Sequence, residues 1–221
     1  MVNKKLTEII CIIDESGSMA LKASDAIGGF NDFLKKQKKL KDECKFTLVL
    51  FDTEYKLVYD GADIKDVAPL NSATYSPGGC TALLDAVGKT IDTVGARYAK
   101  TAEKSRPGNV LVCIITDGEE NSSREYKKSD ICDKITHQTD KYSWKFIFLG
   151  ANQDAFAEAG GMGITMNCTM NYDMAHISGM YSSLDTAAYN CRTCGGDLKD
   201  WQTAYTSDSV FADSTNTGGA K

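Results

Sequence analysis

The stretch TEIICIIDESGSM, residues 7–19, starts as a run of apolar and β-branched residues and changes abruptly to acidic and hydroxyl side chains. A short apolar run bounded by polar residues is typical of a strand buried inside a sheet. Asp14, Ser16 and Ser18 follow at every second position, and Gly17 permits a bend among them. We therefore expect a buried strand whose end presents three oxygen-bearing side chains in one direction.

Similar apolar runs recur along the chain and predict further strands. Four of them are bounded by turn residues, and they lie at residues 7–13, 45–51, 109–115 and 144–149. A fifth run, residues 55–60, follows the second after only three residues, which predicts a hairpin and an antiparallel edge strand. A sixth strand is expected over residues 163–167.

Between these strands, apolar residues recur at spacings of three and four, which predicts helices. The apolar positions concerned are Leu21, Ile27, Phe30 and Leu34, then Leu84, Val87, Ile91 and Val94, then Ile131 and Ile135, and finally Ile177, Met180, Tyr181, Leu184 and Ala188. Strands that alternate with helices predict an α/β fold: a doubly wound, mostly parallel sheet with one antiparallel edge strand and helices on both faces. Gly28 and Gly29 disfavour a helix, so either the first helix packs closely there or its first turns are looser.

The chain of 221 residues is long enough for one domain with a well-buried core. We expect that domain to cover residues 1–194. After it the composition changes to Gly, Ser, Thr and Asp, so residues 195–221 are interpreted as a flexible polar tail, with Trp201 and Tyr205 as a possible anchor.

Charge and hydropathy exclude several classes of partner. The net charge is −5, and the lysine run at residues 35–41 is interpreted as the solvated last turn of a helix, so no nucleic-acid partner is expected. No stretch approaches the roughly 20 apolar residues of a membrane span, and no signal peptide is evident. We therefore expect no membrane association and a cytoplasmic location.

The eight cysteines do not indicate a disulfide framework. Cys11 and Cys113 lie inside apolar strand runs, where a thiol serves as a small core residue. Cys191 and Cys194 form one CxxC, but structural zinc usually needs four ligands and a redox CxxC usually opens a helix. We favour a plain helix end at this pair, with a zinc site and a redox pair as weaker alternatives.

The strand ends carry the chemistry that indicates function. In an open α/β sheet, ligands bind at the carboxyl ends of the strands. SPGGCTAL (residues 76–83) places Thr81 after a flexible turn, and IITDGEEN (residues 114–121) places Asp117 directly after the fourth buried run. Together with Asp14, Ser16 and Ser18 these residues give two carboxylates and three hydroxyls, a donor set that suits Mg²⁺ or Mn²⁺.

These motifs resemble those of a known family. DESGSM (14–19), GGCTAL (78–83) and TDGEE (116–120) are similar to the three elements of the metal-ion-dependent adhesion site in von Willebrand factor type A domains. The resemblance extends over roughly residues 5–190. Small single-domain intracellular relatives of this type occur in bacteria and their phages and commonly act beside another protein.

The resemblance implies a role for each residue of the motif. Ser16, Ser18 and Thr81 would ligate the metal directly, while Asp14 and Asp117 would hold it directly or through water. Thr81 typically reports ligand engagement. A carboxylate from a partner protein, an Asp or a Glu, would complete the coordination, which makes the chain a cation-dependent protein-interaction module and not an enzyme.

Four further polar residues, Glu15, Glu119, Glu120 and Arg124, are expected to surround the same edge, where they either tune partner choice or are simply part of a polar rim.

Two other functions stay open. One is a hydrolase, either a phosphatase-like enzyme that uses Asp14 with Mg²⁺ or a serine hydrolase, although a GxSxG elbow is missing and His137 and His176 are isolated. The other is a scaffold that retains the metal motif without using it and binds its partner through residues 195–221.

Overall fold

The strands in the described part of the chain form one six-stranded sheet. A computed structural model describes residues 1–151, 154–195 and 198. In spatial order the strands are β3 (Tyr55–Asp63), β2 (Cys44–Phe51), β1 (Asn3–Asp14), β4 (Pro107–Thr116), β5 (Lys145–Gly150) and β6 (Thr169–Asn171). All neighbouring pairs are parallel except β2 and β3. The predicted doubly wound fold and its antiparallel edge strand are confirmed.

Helices cover both faces of this sheet. They are α1 (Ala23–Lys38), α2 (Leu83–Lys100), α3 (Lys128–Tyr142), α4 (Ala155–Gly161) and α5 (Ile177–Thr193). The core on one face includes residues of α1 and α5, and the core on the other includes residues of α2, α3 and α4. The central strands are therefore buried on both sides, and for this reason residues 9–13 of β1 form a continuous apolar run that does not alternate with polar residues.

The alternation of side chains along β1 decides which face each residue serves. Ile9, Cys11 and Ile13 belong to the core beneath α1 and α5, whereas Ile10 and Ile12 belong to the opposite core. The parallel pairing of β1 with both β2 and β4 brings the carboxyl ends of three strands to one edge of the sheet. We call this edge the carboxyl edge.

The first helix begins later than its apolar pattern predicts. Residues Gly17–Lys22 form a 3₁₀ helix, α1 starts at Ala23, and Leu21 is 93% exposed, so its inclusion in the buried helical face is wrong. Close packing also contributes, because a Cβ placed on Gly29 would lie 2.2 Å from the ring of Tyr181 on α5. Both alternatives raised by Gly28 and Gly29 are therefore present: the turns before α1 are 3₁₀, and α1 packs closely against α5 at Gly29.

The sixth strand lies elsewhere than predicted. It covers Thr169–Asn171, and not residues 163–167, where Gly163 has a left-handed backbone with φ of 82° and Met166–Cys168 form a 3₁₀ turn. The apolar residue Ile164 is buried as a core residue without being part of a strand. Apolar character alone does not distinguish these two situations.

The predicted tail, including Trp201 and Tyr205, lies outside the described residues apart from Gly195 and Leu198, and Leu198 packs against the core beneath α1 and α5. In the part of the chain that the structure describes, no helix has the length and apolarity of a membrane span. All eight cysteines are free thiols.

The CxxC pair lies at the end of α5, as predicted for a plain helix end. Cys191 is buried and Cys194 is exposed.

Candidate metal site

The end of β1 holds the first part of the candidate site. Asp14 is completely buried and is the last residue of the strand. Its Oδ1 accepts a hydrogen bond from the backbone N–H of Ser16 at 2.7 Å, and its Oδ2 accepts one from the hydroxyl of Thr116 at 2.6 Å. The hydroxyls of Ser16 and Ser18 lie 3.0 Å apart, so the three side chains predicted to converge do so.

The other two predicted residues join the same cluster. The Ser18 hydroxyl donates to Oδ1 of Asp117 at 2.7 Å. A Cβ placed on Gly118 would lie 2.7 Å from Oγ1 of Thr81 and 3.6 Å from Oδ2 of Asp14, so both oxygens border the same glycine. A side chain at position 118 would fill the space between them, and glycine keeps this space open.

The two carboxylates carry an unfavourable charge arrangement. Burial raises the pKa of Asp14 above its ordinary value and the charge of Asp117 adds to this, although hydrogen bonds from Thr116 and Ser16 lower it. Burial also raises the pKa of Asp117, against the hydrogen bond from Ser18. Within the described residues neither carboxylate has a basic side chain within ion-pair distance. The desolvated pair therefore favours a positive charge close by.

The backbone after Asp14 is held in place from the loop that carries Thr81. The buried hydroxyl of Tyr75 donates to the carbonyl oxygen of Asp14 at 2.7 Å. The N–H of Gly17 donates to the carbonyl of Gly79 at 3.2 Å, and the N–H of Gly78 donates to the carbonyl of Glu15 at 2.8 Å. These bonds fix the loop of residues 76–82 against the end of β1.

Glu15 has an internal role instead of lying on the rim. Its side chain is completely buried and forms an ion pair with Lys56 on β3. It therefore ties the end of β1 to the edge hairpin, and only its neighbours are directed toward the cluster.

Thr81 is held by a residue from the loop after β4. The side-chain oxygen of Asn121 accepts the N–H of Thr81 at 2.9 Å, and the backbone N–H of Asn121 donates to the carbonyl of Thr81 at 3.1 Å. Thr81 itself is 3% exposed. The two motifs thus position each other by paired hydrogen bonds, and Thr81 cannot move independently of Asn121.

Two acidic residues attach the loop of residues 117–126 to the start of α2. Glu120 accepts hydrogen bonds from the N–H groups of Leu84, Ser122 and Ser123, so it satisfies a free N–H in the first turn of the helix. Asp85 accepts the N–H groups of three successive loop residues, Arg124, Glu125 and Tyr126. Burial raises the pKa of Asp85, but these three bonds outweigh it and lower the pKa overall.

The donor set fits a small hard cation. Adjacent oxygens around an octahedral Mg²⁺ at about 2.1 Å lie about 3.0 Å apart, and the Ser16 and Ser18 hydroxyls have that separation, 3.0 Å. Within the described residues no three side chains of His, Cys, Asp or Glu are grouped to hold a metal. A cation at the carboxyl edge would therefore depend on hydroxyl oxygens in addition to the two carboxylates.

The structure brings together all five predicted residues, and it adds neighbours that the sequence does not single out. Thr116, Tyr75 and Asn121 each make a direct hydrogen bond to a predicted residue. The position of Thr116, immediately before Asp117 at the end of an apolar run, is a usable signal. Nothing local in the sequence indicates that Tyr75 and Asn121 reach across to other loops.

Comparisons with known proteins agree with this geometry at the level of the fold. No family model and no curated protein matches the chain. Three similar solved structures are proximal thread matrix protein 1 from the mussel byssus with a zinc-occupied MIDAS motif, a von Willebrand factor type A protein from Catenulispora acidiphila, and the manganese-loaded TRAP protein of Plasmodium vivax.

The likeness is structural, with little sequence in common. The mussel protein is 16% identical with a TM-score of 0.57, and the match covers 83% of this chain and 48% of that one. The Catenulispora protein is 16% identical with a TM-score of 0.57, covering 83% and 42%. The Plasmodium protein is 14% identical with a TM-score of 0.55, covering 80% and 72%.

This chain has the fold of von Willebrand factor type A domains. It spans about half the length of the mussel structures that it matches.

Proposed function

We propose that the chain is a divalent-cation-dependent protein-interaction module that binds a carboxylate of a partner protein at the carboxyl edge. The observation that carries this proposal is the convergence of Asp14, Ser16, Ser18, Thr81 and Asp117 from three separate loops. Two of the similar structures are described as zinc-occupied and manganese-loaded, which supports a divalent metal for this fold. Mg²⁺ and Mn²⁺ suit the oxygen donors of this chain.

The residues of the cluster would have different roles in binding the cation. Ser16, Ser18 and Thr81 would supply neutral oxygens, and Asp14 and Asp117 would supply the negative charge. When bound, the cation supplies positive charge and a coordination position for an anionic oxygen. Because two carboxylates only neutralise a divalent ion, a third carboxylate from a partner is still attracted to it. Thr116 and Tyr75 hold the strand end, so the oxygens keep their positions before the partner arrives.

We further propose that this edge does not catalyse hydrolysis. A hydrolase needs a base near its nucleophile. His176 is close to Asp173, and His137 packs against the ring of Tyr142 on α3. Asp14 is occupied by hydrogen bonds from Thr116 and Ser16. Hydrolysis of p-nitrophenyl phosphate by the wild type, if lost in Asp14→Asn, would contradict this part of the proposal.

A reducing cellular compartment, and hence the cytoplasm, is part of the same proposal. It is supported by eight free thiols, two of which, Cys80 and Cys194, are exposed.

Calorimetric titration of Mg²⁺ and of Mn²⁺ tests the metal site. The wild type should bind one ion, and Asp14→Asn should not bind it. Glu119→Gln is the matched control, because Glu119 is an exposed carboxylate on the same edge outside the cluster. Equal binding by wild type and Asp14→Asn would reject the cluster as the metal site.

Capture of a partner tests the second half of the proposal. Immobilised wild-type chain should retain a protein from a lysate in Mg²⁺ and release it in EDTA. Thr81→Val keeps the size of the side chain and removes one hydroxyl ligand, so it should reduce capture. Retention that is unchanged by EDTA and by Thr81→Val would instead favour the scaffold whose metal motif is unused.

A further inference from the structure

A cavity with basic lining residues lies at the opposite edge of the sheet. This cavity of about 610 Å³ is formed where β1 and β4 begin, by the segment before β2 and by the end of α5. Four basic residues, Lys4, Lys5, Lys41 and Arg192, line it together with Asp42 and Glu43. The volume lies within the range of about 300–1,000 Å³ that small-molecule sites occupy. This cavity shares no residue with the candidate metal site.

Arg192 is the unusual member of this group. Its side chain lines the cavity, yet the residue is only 7% exposed. Nη1 donates to the backbone and side-chain oxygens of Gln37 at 2.6 and 3.1 Å, and Nη2 donates to the carbonyl of Asp42 at 2.7 Å. All three acceptors are neutral, and Nε is buried with no hydrogen-bond partner in the described part of the chain. A buried guanidinium is normally matched by an anion, but no carboxylate of the described residues lies within ion-pair distance of Arg192.

The rest of the lining adds positive charge. Within the described residues Lys4, Lys5 and Lys41 have no carboxylate within ion-pair distance. Four basic groups against two carboxylates leave a local excess of two positive charges on a chain whose net charge is −5. Lys41 belongs to the lysine run that the sequence predicts to be solvated, and it is exposed where it borders the cavity.

We propose that this cavity binds the phosphate group of a small phosphorylated molecule. A phosphate carries close to two negative charges and several oxygens, which match the charge excess and the scattered donors better than a single carboxylate does. The buried charge of Arg192 attracts the anion from behind, and the exposed ammonium groups of Lys4, Lys5 and Lys41 move to contact its oxygens. The cavity is larger than a bare phosphate, so the remainder of a molecule of nucleotide size fits with it.

Calorimetry with the full-length protein tests this proposal. The titrants are ADP, inorganic phosphate and adenosine, in EDTA and at constant ionic strength, so that no metal at the carboxyl edge takes part. ADP should bind at one site, phosphate more weakly, and adenosine not at all. Equal affinities for ADP and phosphate would identify free phosphate as the source of the group. Absence of binding by both ADP and phosphate, or adenosine binding as tightly as ADP, would overturn the proposal.

Variants assign the binding to the cavity. The exposed double substitution Lys4→Gln/Lys41→Gln should weaken ADP binding at least tenfold while leaving the circular dichroism spectrum unchanged. Lys141→Gln on α3 removes one exposed positive charge that does not line the cavity, and it should bind as the wild type does. Arg192→Gln should abolish ADP binding if this variant folds. If it does not fold, the lysine double variant provides the test. An equal loss in Lys141→Gln, or no loss in the lysine double variant, would show that the cavity is not the site.

Discussion

Glu8 and Asp14 are two carboxylates on the same strand, and both are completely buried. Glu8 accepts hydrogen bonds from Nη1 and Nη2 of Arg97 at 3.0 and 2.6 Å. It also accepts the hydroxyls of Tyr98 at 2.7 Å and Thr47 at 2.6 Å. Its charge is therefore matched by a guanidinium from α2 and by two further donors.

Asp14 has no such match. Its donors are a hydroxyl and a backbone N–H, and Asp117, which shares the cluster, is another carboxylate. Burial is the same in the two cases, so burial alone does not distinguish a structural carboxylate from a functional one. What differs is the counter-charge: within the described residues Glu8 pairs with Arg97, whereas Asp14 has no basic side chain within ion-pair distance.

The largest effect is expected where the chain supplies the counter-charge. Arg97→Met leaves the Glu8 carboxylate buried and unpaired, which should lower the free energy of unfolding by about 3 kcal/mol in urea denaturation. Adding Glu8→Gln to the same variant removes the unpaired charge and should recover most of that loss. A double variant as unstable as Arg97→Met would show that packing, and not the charge, is responsible.

A smaller loss of stability is expected when the hydroxyl that donates to Asp14 is removed. Thr116→Val removes the donor at 2.6 Å and leaves one carboxylate oxygen without it, at a cost of about 1–3 kcal/mol measured in EDTA. Thr90→Val is the control, since that buried hydroxyl donates to a carbonyl within its own helix at 2.7 Å. A similar cost for both variants would contradict a special role for Thr116.

Neutralising the Asp14 carboxylate should raise the stability of the metal-free protein instead of lowering it. Asp14→Asn is close to isosteric and removes the desolvated charge, so the metal-free protein should gain about 0.5–2 kcal/mol in urea unfolding. In saturating Mg²⁺ the order should reverse, because only the wild type gains stability from binding. If Asp14→Asn lowers the stability of the metal-free protein, the comparison between Asp14 and Glu8 fails.

The smallest effect is a dependence on pH. The pKa values of Asp14 and Asp117 are raised in the folded state, so that state binds more protons than the unfolded chain between the ordinary carboxyl pKa and the raised values. The metal-free wild type should therefore gain stability, relative to Asp14→Asn/Asp117→Asn, as pH falls from 7 through this window. Asp85 has a lowered pKa, and its contribution is lost only at lower pH. Parallel pH profiles for the two proteins would contradict the prediction.

The sequence is sufficient to predict the fold because the central strands are buried on both faces. The run of residues 110–115 is apolar throughout, and such a short continuous run is typical of a strand covered on both sides. The sequence is not sufficient at the sixth strand, where Ile164 is buried without being in a strand, or at Leu21, where helical spacing continues into an exposed 3₁₀ turn. The first error comes from apolar character and the second from helical periodicity, and neither of these reports the backbone conformation.

The candidate site, like the fold, is predictable from the sequence only in part. Its five oxygen-bearing residues all follow strands or turns, and the convergence of parallel strand ends brings them together. The roles of Glu15 and Glu120 are not predictable, because an acidic residue on the rim and one that pairs internally look alike in sequence. The structure shows that Glu15 pairs with Lys56 and that Glu120 serves the start of α2. Of the four residues predicted to surround the edge, Glu119 and Arg124 are exposed.

Glu120 and Asp85 hold the loop after β4, and this leaves exposed positions of the same loop open to substitution. The loop conformation is specified by those two carboxylates and by Asn121, all of them bonded to backbone N–H groups. Side chains at positions 119 and 124 contribute nothing to that specification. Evolution or a combinatorial library is thus free to exchange them while the architecture and the five-residue cluster stay unchanged, and under the proposed function such exchanges would alter only the choice of partner.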